Sequence, residues 1–130
     1  MKYDTTKRNY NWNNYTDAAN HFHYRVGNKE GSFKIMHNTI ARSYHNTVEI
    51  QLHATDVYRI EKRHDVGDEF AHSVITLDSG GYQTVTTKDR MNRFLPLGYR
   101  VYQKDFDWYL QTPEGTREYQ DGMQIKLELA

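Results

Sequence analysis

Apolar and polar residues alternate with a period of two along much of this chain. In 47–53, Val48, Ile50 and Leu52 fall on one face and Glu49, Gln51 and His53 on the other, the pattern of a half-buried strand. The run "DVYRIEKRH" (56–64) continues with Val57 and Ile60 inward, and 72–78 is a further strand. In 123–129, Met123, Ile125, Leu127 and Leu129 share a face. Two more alternating runs, 21–26 and 32–36, flank the turn "GNKEG" and predict a hairpin.

Between these runs lie turn signals. Ser79, Gly80 and Gly81 predict a tight turn with positive φ, and 82–87 is expected as its return strand. The runs 98–103 and 106–112 flank Lys104 and Asp105, expected as a two-residue turn, while 112–116 and 120–122 mark two further turns and 64–70 an acidic loop. One segment breaks the period. From 87 to 95, Met91, Phe94 and Leu95 fall at the spacing of a helix stripe. Thr86 and Asp89 stand as a capping-box variant before it, Asp89 and Arg93 pair four residues apart, and Pro96 ends it. The expected fold is α+β, a predominantly antiparallel β-sheet with one short helix near 87–95. Residues 1–20 read as a polar, aromatic arm with a helical turn capped by Thr16 or Asp17, and 21–130 as a single globular domain without internal repeats.

Composition narrows the class. Eleven Tyr, five Phe and two Trp argue for a folded chain with an aromatic core. There is no cysteine, which excludes disulfides and thiolate metal sites and fits a reducing compartment. No apolar run reaches the roughly 18 residues that span a membrane, and the polar start is unlike a signal peptide. The expected location is the cytoplasm of a bacterial host cell, without membrane contact.

The net charge is zero, but it is unevenly spread. Residues 64–87 hold four acids (Asp65, Asp68, Glu69, Asp78) and no Lys or Arg, whereas 88–104 hold five cations and one acid. A solvated face explains such blocks, and so does an anion-facing patch. After capping and core packing are assigned, the helix segment leaves Lys88 and Arg90 over, with Tyr82 and Thr84 nearby. A helix start beside a cation suits an anion.

The histidines offer less. "HNT" (45–47) and "HAT" (53–55) invite comparison with two-histidine phosphoesterases. Eight strand residues, however, separate His45 from His53 by about 26 Å at 3.3 Å per residue. His21 and His23 share a strand face as a metal pair would, without a third ligand at matching spacing. No metal and no cofactor is implied. His37, His64 and His72 form no readable arrangement.

The segments "LHATDV" (52–57), "ITLDSGGYQTVTTKDRMNRFLP" (75–96) and "VYQKDFDWYL" (101–110) resemble a widespread group of small phage-encoded proteins of unknown function. The likeness spans about residues 45–110 and implies a phage or prophage origin without supplying a mechanism. Its shared polar positions here are His53, Thr55, Ser79, Gly80, Gly81, Thr84, Thr86, Thr87, Lys88, Arg90 and Asn92. The expected binding set is Lys88, Arg90, Asn92, Thr84, Thr87, Tyr82 and His53. The leading expectation is a non-catalytic phage binding protein that engages nucleic acid or a host nucleic-acid-handling or defence enzyme, as anti-defence inhibitors do. A small nuclease or phosphodiesterase using His53 with Lys88 and Arg90 is the alternative. A homo-oligomeric, virion-associated protein is the third.

Overall fold

The computed structural model describes residues 9–130. The first eight residues of the expected arm lie outside them. The elements run α1 (Tyr15–Val26), β1 (Gly31–Met36), β2 (Thr39–Tyr44), β3 (Thr47–Leu52), β4 (Thr55–Arg63), β5 (His72–Leu77), α2 (Val85–Phe94), β6 (Arg100–Lys104), β7 (Asp107–Thr112), β8 (Gly115–Glu118) and β9 (Met123–Leu127). The α+β class holds. Six strands form one antiparallel sheet in the order β1-β2-β3-β4-β5-β9, and β6, β7 and β8 form a second.

The helices cover one face of the larger sheet. Register aligns Phe33, Ala41, Ile50, Tyr58 and Leu77 across five strands. Against this row pack Phe22 of α1, 5.4 Å from the Phe33 ring, and Phe94 of α2, 5.7 Å from Tyr58. Met91, Phe94 and Leu95 are fully buried, as the helical stripe requires. Trp12 lies 4.9 Å from Phe94 and 6.0 Å from Tyr58. The backbone N–H of Trp12 donates to the Phe94 carbonyl at 3.1 Å, so the chain before α1 is fastened to the end of α2.

Five local expectations are corrected. Residues 21–26 are helical, so the expected break after residue 20 falls inside α1. Their alternation also satisfies a helix, because Ala18 and Phe22 bury at i and i+4 while Asn14 caps the Asp17 N–H at 2.9 Å. The true partner of β1 is therefore β2, not 21–26. Residues 82–87 are not a return strand, because both edges of β5 are taken, by β4 and β9. Helix α2 begins at Val85 instead, capped by Thr84, whose hydroxyl accepts the Thr87 N–H at 3.1 Å; the Thr86–Asp89 cap is displaced. The β6–β7 turn is Asp105–Phe106, with φ of 52° and 73°, one residue later than expected. Leu129 lies beyond β9 and is exposed.

Contrary to the expectation of no internal repeat, the meander contains one. Residues 37–60 read HNTIARSY, HNTVEIQL, HATDVYRI. Each octad supplies a two-residue turn and a six-residue run along a strand, and Thr39, Thr47 and Thr55 open β2, β3 and β4. Left-handed backbone falls at Asn38, His45, Asn46 and His53, with φ from 43° to 58°, as two-residue hairpin turns demand. Because strands alternate direction, the turns at 37–38 and 53–54 share one end of the sheet. The turn at 45–46 sits at the other.

Candidate functional site

At the end shared by His37 and His53, the hairpin turns face the start of α2 across a cleft of about 630 Å³. Leu52, Ala54 and Val57 give it an apolar floor, and His37, His53, Thr55, Ser79, Tyr82, Thr84, Thr86, Thr87 and Arg90 supply its polar lining. The two turns are joined. The His53 N–H donates to the Asn38 carbonyl at 3.2 Å, extending the β2–β3 ladder by one pair.

The opposite wall depends on the glycine turn. Gly80 and Gly81 have φ of 63° and 87°, as expected of the turn. A Cβ on Gly80 would lie 2.5 Å from the Thr55 hydroxyl, so only glycine lets this loop lie against β4. Asp121 anchors the loop from behind, accepting from the Ser79 N–H and hydroxyl at 2.8 Å each and from the Tyr119 hydroxyl at 2.7 Å. Burial alone would raise the Asp121 carboxyl. The Tyr119 and Ser79 hydrogen bonds, with one from the Gly81 amide, outweigh it and hold the group below the ordinary carboxylate value. The Tyr119 hydroxyl is correspondingly raised by burial and by Asp121.

Five of the seven expected binding residues line the cleft: His53, Tyr82, Thr84, Thr87 and Arg90. Thr84 and Thr87 are occupied with each other, their hydroxyls 3.0 Å apart at the helix cap. Tyr82 is 69% exposed and stands at the rim. Arg90 is half-buried rather than free. It donates to the Thr39 hydroxyl at 2.8 Å and to the His37 carbonyl at 3.2 Å, and it pairs with Asp89. It is thus a strut holding the first hairpin turn against α2.

Lys88 and Asn92 point elsewhere. The Lys88 ammonium lies 5.7 Å from the Trp108 ring centroid and 3.4 Å from the side-chain oxygen (Oε1) of Gln103. Residues two apart on a helix do not share a face, so Lys88 and Arg90 diverge. Asn92 bonds both the N–H and the carbonyl of Val101, at 2.8 and 2.9 Å, fastening β6 to α2. The expected grouping of His53, Lys88 and Arg90 is therefore not assembled in one place. His45, at the far end of β3, cannot meet His53 either, as the strand spacing required.

Two features escaped the sequence reading. His37 joins His53 in the cleft, and the octad repeat was the available signal, since two octads return the chain to the same end of the sheet. On the sheet face away from the helices, Glu49 is only 1% exposed. Arg59 donates to it at 3.3 Å, and Arg42 lies 3.8 Å from it while bonding Asp56 at 2.9 Å. Burial raises Asp56 and so does the neighbouring Glu49 carboxylate. Burial opposes ionisation of Glu49 too, but hydrogen bonds from Tyr44 and Asp56 and the Arg59 charge lower it. Of the two carboxyls, Glu49 is thus the more readily ionised.

The acidic loop is organised by His72, which is buried beside it. Its Nδ1 lies 3.2 Å from Asp68 and its Nε2 3.7 Å from Asp65. These three groups offer ligand atoms within 4.8 Å of one another, but the two ring nitrogens face different carboxylates. Asp65 and Asp68 thus answer His72, and neither Lys88 nor Arg90.

The profile of the Kyanoviridae Gp96 protein family matches residues 19–126. The chain belongs to this phage protein family. The match takes in every residue of the cleft and extends beyond the 45–110 span of the resemblance. No curated protein and no solved structure matches the chain. Among the described residues, no helix is long and apolar enough to cross a membrane.

Proposed function

We propose that this Kyanoviridae Gp96 family protein is a nucleic-acid-binding module whose cleft holds one nucleotide of a single strand. The observation that carries the reading is the convergence of "LHATDV" and "SGGYQTVTTKDR" on one cleft. Its 630 Å³ falls within the roughly 300–1,000 Å³ of small-ligand sites, the size of a nucleotide and far short of a duplex. Tyr82 offers a stacking face at the rim, a sequence-tolerant way to hold a base. The start of α2 has no acid in its first turn, an environment that favours a phosphate.

A duplex-tracking surface would need a broad basic face, and here the net charge is zero while Arg90 is tied to Asp89. Fluorescence anisotropy with labelled single strands and hairpin duplexes tests the reading. Single strands should bind better than duplexes. The dependence on salt should be shallow, with a log–log slope of about −0.7 per phosphate engaged and one or two phosphates involved. Tyr82→Ala and Thr86→Val should each weaken binding without changing the melting temperature. Absence of binding to any oligonucleotide, alongside specific capture of a host enzyme that Tyr82→Ala abolishes, would overturn it in favour of a protein partner.

A further inference from the structure

The cleft holds two imidazoles, and the nucleic-acid reading by itself gives them no work. His37 and His53 sit at equivalent positions of the first and third octads, on adjacent turns, both exposed and both lining the same space. The bond from the His53 N–H to the Asn38 carbonyl places those two residues opposite each other in the ladder, about 5 Å apart at Cα as in any antiparallel pair. His37 is the residue next to Asn38. Arg90 fixes the backbone of that turn through the His37 carbonyl and the Thr39 hydroxyl. The imidazoles are thus carried by a braced edge of the sheet, not by free loops.

Resting on the nucleic-acid reading of the cleft, we propose that it cleaves phosphodiesters of ribonucleic acid, with His37 and His53 as the catalytic residues. Imidazole is the side chain whose charge changes nearest neutrality, and two of them astride one phosphate supply a base and an acid together. One imidazole takes the proton of the ribose 2′-hydroxyl. That oxygen attacks phosphorus, the bond from phosphorus to the 5′-oxygen breaks, and the other imidazole, protonated, gives its proton to the leaving oxygen. The products are a 2′,3′-cyclic phosphate and a 5′-hydroxyl, so atoms and protons balance without any further reactant. The substrate must carry a 2′-hydroxyl. DNA has none, and the cleft would bind it without cutting it. Thr55 and Thr86 stand on the two walls, and their hydroxyls would serve as donors to the non-bridging phosphate oxygens.

The test uses the full chain with three oligonucleotides of one sequence: RNA, 2′-O-methyl RNA and DNA. RNA should be cut, with cyclic-phosphate and 5′-hydroxyl ends identified by mass spectrometry, and the other two should be bound and left intact. His53→Asn keeps a residue that tolerates left-handed backbone, and His37→Asn matches it in size. Each should slow cleavage by about 10²–10⁴-fold, far more than it weakens binding of 2′-O-methyl RNA. If 2′-O-methyl RNA binds while RNA stays intact, the catalytic proposal falls and the binding reading stands. If no strand binds, both fall. If cleavage survives the double variant, the two histidines are not its source and the proposal is overturned.

Discussion

Replacing Gly80 by alanine isolates the contact that builds one wall of the cleft. Two costs add. Gly80 has φ of 63°, where an L-residue loses about 1–2 kcal/mol. Its new Cβ would also lie 2.5 Å from the Thr55 Oγ1 and 2.8 Å from its Cγ2, an overpacking that costs about 1–3 kcal/mol in tight sites. The sum is about 2–5 kcal/mol. Gly81 is the internal control, with φ of 87° and nothing within 4 Å of an added Cβ, so Gly81→Ala should cost only the first term, about 1–2 kcal/mol. Thr55→Ala removes the two closest atoms and leaves the Thr55 Cβ at 3.2 Å. In that background Gly80→Ala should recover the packing cost, a coupling of about 1–3 kcal/mol. Urea unfolding of the four variants reads the result as shifts in midpoint at constant slope. Equal midpoints for Gly80→Ala and Gly81→Ala, or zero coupling with Thr55, would refute the argument.

Other expectations follow from separate contacts. Phe94→Ala should cost about 3–5 kcal/mol, because its ring is fully buried among Tyr10, Trp12 and Tyr58; calorimetry gives the loss. Arg90→Ala should destabilise by about 1–3 kcal/mol through the charged hydrogen bonds lost to the Thr39 hydroxyl and the His37 carbonyl, whereas Lys88→Ala should stay within about 0.5 kcal/mol. Equal thermal shifts for these two would contradict the strut. The folded Asp121 carboxyl lies below its ordinary value, so its contribution is complete above the unfolded value of about pH 3.9 and is lost as pH falls through the lower folded one. Asp121→Asn should flatten the acid limb of the stability curve, measured by melting from neutral pH downward.

The alternation in 47–53, 72–78 and 123–129 and the stripe of Met91, Phe94 and Leu95 were legible because burial on one face writes a period into the sequence. So was the positive φ at Gly80 and Gly81. Local patterns stop where two structures satisfy the same residues. "HFHYRV" alternates and also completes a helix with Ala18, and the packing of Phe22 on Phe33 decides between them. "YQTVTT" reads as a strand until β9 occupies the free edge of β5, after which Thr84 can only cap. The octads determine that His37 and His53 share one end of the sheet, since each octad reverses the chain once. That α2 covers that end, with Arg90 bonded to Thr39 across 51 residues, was decided by tertiary packing. Core burial of Phe94 holds the helix there, and no local pattern encodes which end of a sheet a distant helix will meet.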